Sequence, residues 1–68
     1  MKRLLLMLRQ NGTINLNGYE FYYDEHTETI HVRHPRSLLS PTWNCTLRGM
    51  QYALRWMNAG HHEGEESL

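Results

Sequence analysis

A chain of 68 residues, 40% hydrophobic and 21% charged, makes one domain whose single core leaves a thin stability margin, one that a partner chain would widen. It is too apolar for a disordered chain and too interrupted by polar residues for a membrane span. Formal net charge is zero, yet Glu63, Glu65 and Glu66 lie near the end, so residues 1–60 carry seven Lys and Arg against Glu20, Asp24, Glu25 and Glu28.

The opening Met1-Lys2-Arg3-Leu4-Leu5-Leu6-Met7-Leu8 imitates a secretory signal, but its apolar run stops at Arg9 and no small-residue cleavage site follows, so it reads as part of the fold. Asn11-Gly12-Thr13 and Asn44-Cys45-Thr46 match the glycosylation acceptor pattern; without an export signal they read as chance. Cys45 is the single cysteine, which rules out an internal disulfide and points to the cytoplasm.

From Lys2 to Asn11, Leu and Met without β-branched residues favour helix, and Gly12 is placed to end it. The alternative is a strand, because Asn11-Gly12 is also a hairpin signal. From Thr13 the period becomes two. Ile14 and Leu16 alternate with polar residues, and Asn17-Gly18 supplies a type I′ turn that sets Leu16 opposite Tyr19 and Ile14 opposite Phe21. The register that keeps this face apolar pairs Phe21 with Val32 and Tyr23 with Ile30, across a loop of Glu25-His26-Thr27-Glu28. It also sets Glu20 opposite Arg33 and Tyr22 opposite His31 on the other face.

Pro35 and Pro41 bracket an extended linker whose Leu38 and Leu39 are expected to tuck under the sheet edge. Ser40-Pro41 reads as N-cap and first turn of a long helix running to Gly60, with Asn44 as the cap of a shorter one. Trp43, Leu47, Met50, Leu54 and Met57 form one stripe on it, suited to cover the sheet. Cys45, Gly49, Tyr52 and Trp56 form a second stripe, with Ala53 beside it. The expected fold is therefore α+β: a three-stranded antiparallel meander, one long C-terminal helix across one face and a short N-terminal helix or strand. Residues 1–60 form the domain and 61–68 a disordered acidic tail.

The second stripe takes either the N-terminal helix or another protein, since Tyr and Trp are over-represented at binding hot spots. Gly49, Tyr52 and Trp56 with a rim of Arg48 and Arg55 are thus the candidate protein-interaction residues, serving a homodimer or a larger partner. Tyr22, Arg33, Arg36, Arg48 and Arg55 are the candidates for the alternative, nucleic-acid binding through stacking and phosphate contacts.

His31 and His34 point to opposite faces of a strand, and His61-His62-Glu63 lacks structural-zinc spacing, so no metal or cofactor is expected. Cys45 with His31 or His34 would need a base within hydrogen-bond reach, and neither a phosphate loop nor a nucleophile elbow is present, so no enzyme is expected. In order of elements, three strands then a helix, the chain resembles the arm-binding domains of some integrases and small phage-encoded regulators and inhibitors; no residue motif accompanies that layout, and it assigns no site. The reading is a small non-enzymatic protein-binding module, a homodimer or a stoichiometric regulator or inhibitor, with no small-molecule substrate.

Overall fold

The computed structural model describes residues 2–60, in the order α1 (Lys2–Asn11), β1 (Thr13–Leu16), β2 (Tyr19–Asp24), β3 (Thr29–Arg33), β4 (Thr42–Asn44) and α2 (Leu47–Asn58). The tail expected over 61–68 lies outside the described residues. The four strands form one antiparallel sheet in sequence order. Leu5 and Leu8 of α1 and Met50, Ala53 and Met57 of α2 join Phe21, Ile30 and Val32 in one buried cluster, so both helices cover the same face. The fold is α+β as expected, with four strands rather than three.

The first two turns behave as their residues dictate. Asn17 at φ 51° and Gly18 at φ 83° supply the two left-handed residues of the type I′ turn. They set Leu16 opposite Tyr19 and Ile14 opposite Phe21. Across the second turn Phe21 meets Val32, Tyr23 meets Ile30, Glu20 meets Arg33 and Tyr22 meets His31. Phe21, Ile30 and Val32 are fully buried, and a one-residue slip would expose all three. Before β1, α1 ends with the Gly12 amide donating to the Leu8 carbonyl at 2.8 Å, which confirms helix over strand.

The segment before α2 departs from expectation. Thr42, Trp43 and Asn44 add a fourth strand against His31, Ile30 and Thr29, and α2 is capped by Thr46, whose hydroxyl accepts from the Gly49 amide at 3.0 Å. Neither Ser40 nor Asn44 is the cap. Trp43 and Cys45 therefore leave the helical stripes to which their spacing assigned them. On α2 the buried residues are Gly49, Met50, Ala53 and Met57, so the two expected stripes are the flanks of one broad face centred near Ala53. Leu47, at one margin, is 42% exposed.

Leu38 and Leu39 do not tuck under the sheet; Leu38 is 94% exposed. Local bonds set the path of their loop, with Ser37 N–H donating to the His34 carbonyl at 3.0 Å and Leu39 N–H to Ser37 Oγ at 3.1 Å. Trp56 stands edge-on to Tyr19 at 5.9 Å and tilted to Trp43 at 6.1 Å.

Candidate functional site

The expected protein-interaction residues separate once α2 is placed. Gly49 is buried, and a Cβ on it would lie 1.8 Å from the Asn44 carbonyl oxygen. Only glycine lets the first turn of α2 sit on the backbone of β4, so Gly49 serves packing and does not reach the surface, a correction to its expected role. Trp56 is half-buried in the aromatic group with Tyr19 and Trp43. Arg48, Tyr52 and Arg55 remain on the exterior.

These three form one surface. Steps of 100° per residue put Arg48, Tyr52 and Arg55 on one side of α2, where Arg48 and Tyr52 border β4. Tyr52 is 46% exposed, and the Arg55 guanidinium carbon lies 5.7 Å from its ring centroid, which orients the ring and keeps a cation over its face. Beside it an open groove of about 390 Å³ is lined by Thr42, Trp43, Asn44, Arg48 and Tyr52 among others, and Arg48 is its one charged lining residue. The arrangement offers an aromatic edge, an amide, hydroxyls and two guanidinium groups. It suits an acidic or hydroxyl-bearing surface and contains no nucleophile paired with a base.

The alternative set is split. Tyr22 and Arg33 stand on the uncovered face of the sheet, whereas Arg48 and Arg55 stand on α2 behind the other face. Tyr22 stacks on His31 at 4.6 Å between centroids with 16° between planes, and Arg33 lies 5.3 Å from the Tyr22 centroid. Arg33 Nε donates to Glu20 Oε1 at 2.6 Å; that hydrogen bond, then the charge of Glu20, raises the pKa of Arg33. One ring face and one cation are thus already engaged by neighbours. Arg36 lies in the loop after β3, its amide donating to His34 Nδ1 at 3.0 Å.

A contact that the sequence does not announce ties the end of α1 to the connection between β4 and α2. Arg9 donates from its guanidinium to the Cys45 carbonyl at 2.7 Å and from Nε to Cys45 Sγ at 3.4 Å. The side-chain hydrogen bond to Cys45 is the first cause raising the pKa of Arg9. The charged end of α1 thereby holds the chain where it turns into α2. Nothing in the sequence marks this pair, because the two residues are 36 positions apart and meet only through the sheet.

Among the described residues no group of three or more His, Cys, Asp or Glu is arranged to hold a metal ion, and no helix is long and apolar enough to cross a membrane. No protein-family model, curated protein or solved structure matches the chain.

Proposed function

We infer that this chain is a non-enzymatic protein-binding module whose contact surface is the flank of α2 carrying Arg48, Tyr52 and Arg55. The supporting observation is the exposure of Tyr52 beside a groove whose lining carries one cation and no acid. Tyr and Arg are the residue types that carry the most energy at protein interfaces, and here each is held in place by the other. A twofold contact centred on Tyr52 would set Arg48 and Arg55 against their own copies. The surface therefore suits a different, acidic protein, with this small chain acting as a stoichiometric regulator or inhibitor. Cys45, buried as a free thiol, suits a reducing compartment such as the cytoplasm.

A photo-crosslinking side chain at position 52, compared with one at position 22, tests this reading. The expected result is a discrete protein adduct from position 52, lost when Arg48 and Arg55 are changed to Glu, and none from position 22. Adducts to nucleic acid, or protein adducts of equal yield from both positions, would replace this reading with the nucleic-acid alternative or abolish it.

A further inference from the structure

We propose that β1 is a self-association edge, at which a second copy of this chain adds its own β1 antiparallel to extend the sheet across a twofold axis. This inference is independent of the α2 surface and uses the opposite border of the molecule.

The backbone states which groups are free. Tyr23 N–H donates to the Gly12 carbonyl at 2.9 Å, and Leu16 and Tyr19 close the two-residue turn. In an antiparallel ladder bonding alternates, so Ile14 and Leu16 bond to β2 while the N–H and C=O of Thr13 and Asn15 point away from it. β1 ends the sheet, and among the described residues nothing pairs with those four groups. Two antiparallel copies centred on Ile14 set Thr13 opposite Asn15 of the other copy, and each such pair exchanges two hydrogen bonds.

The side chains fit the same occupant. From Gly12 to Gly18 the sequence is GTINLNG, with neither a charge nor a proline, the two commonest guards of an exposed edge. A twofold contact there brings no like charges together, in contrast to the α2 flank. Ile14 and Leu16 are half-buried on the covered face. Above them α1 turns Leu5 and Leu8 into the core and Arg9 toward Cys45. Leu4, on the side of α1 opposite Arg9 by the wheel, therefore lies on the β1 flank, where it packs partly buried against the core. A second copy would cover Leu4, Ile14 and Leu16 with the same three residues.

The register makes the test specific. Thr13 and Asn15 project onto the uncovered face, outside the core, so substitutions there leave Ile14 and Leu16 in place. Sedimentation velocity of the full chain from about a micromolar to about a millimolar should show a monomer–dimer equilibrium. The double variant Thr13→Lys with Asn15→Lys should weaken it, and Thr13→Glu with Asn15→Lys should tighten it. The two should differ by roughly tenfold or more, because two symmetry-related cross-strand pairs change from repulsion to attraction. In the unsubstituted chain, the amides of Thr13 and Asn15 should exchange slowly with solvent in the dimer and quickly on dilution. A monomer over the whole range with both amides fast overturns the proposal, as does a dimer that the two double variants leave alike. Either result leaves the position 52 crosslinks unaffected, so this proposal and the α2 reading fail separately.

Discussion

The two edges of the sheet are finished in opposite ways. β4 is three residues long, begins after Pro41 and has the first turn of α2 pressed against Asn44, with Gly49 too close for any side chain. β1 is four residues long, lies between the Gly12 end of α1 and the Asn17-Gly18 turn, and among the described residues nothing pairs with its outward backbone groups. Native sheets commonly close an edge by shortness, proline or a covering element, and β4 uses all three. The contrast separates two kinds of surface: at β4 the helix covers the backbone and offers side chains, whereas at β1 the backbone itself is offered.

Removing the cover should have the largest effect. Gly49→Ala places a methyl 1.8 Å from the Asn44 carbonyl oxygen, a backbone atom that cannot rotate away, so α2 must lift from β4. A loss of about 3 kcal/mol, the upper end for overpacking, is expected in urea unfolding. A loss under about 0.5 kcal/mol would show that the helix turn is not seated on the strand. On the other border, Gly18→Ala forces a side chain onto φ 83° in the turn that registers β1, at a cost of about 1 to 2 kcal/mol. There is room for the added carbon, which would meet His34 Nε2 at 3.4 Å, so the cost is conformational. Hydrogen exchange should locate it in β1 and β2 and leave β4 protected.

Thr46→Ala is the gentler counterpart of the Gly49 change. It removes the hydroxyl that accepts from the Gly49 amide at 3.0 Å without altering the approach of the helix to the strand. About 1 kcal/mol is the usual cost of a lost N-cap, and Thr46→Ser should recover most of it. Equal stability of the Ala and Ser variants would remove the cap from the account of how β4 is closed.

Most of the open edge could be read from the sequence, and little of the closed one. Asn17-Gly18 and the alternation of Ile14, Leu16, Tyr19, Phe21 and Tyr23 are local signals, and local signals fix register. β4 carries no such signal: three residues are too few to show a period of two, and the i, i+4 spacing of Trp43 and Leu47 fits a helix equally well. Pro41 is equally ambiguous, since proline opens helices and also tolerates strand edges. The cue to the true boundary is Thr46, a residue type favoured at the N-cap. Gly49 lies on the element its spacing indicates, but its purpose depends on the Asn44 carbonyl, in a strand the sequence does not reveal. Tyr52, Arg48 and Arg55 kept their exposed face because they lie wholly within α2, where helical spacing holds.

The smallest effect concerns the turn midway between the two edges, and it decides whether they respond together. The His26 amide donates to Asp24 Oδ1 at 2.9 Å, and this bond is the first cause holding the Asp24 carboxyl below its ordinary value of 3.8. A carboxyl with a lowered folded pKa stabilises the fold above its unfolded value and loses that contribution as pH falls through the folded one. Acid below about pH 4 should therefore loosen the turn joining β2 to β3. The charge of His26 is a smaller cause in the same direction, and His31 Nε2 lies 3.9 Å from Asp24 Oδ2. Asp24→Asn keeps an oxygen for the His26 amide and should flatten the acid dependence, whereas His31→Gln should leave it in place. Because β2 and β3 are the central strands, the loosening should reach β1 and β4 equally. An acid transition that frees the Ile14 amide, which bonds to β2, while Trp43 stays protected would instead show that the open edge unfolds on its own.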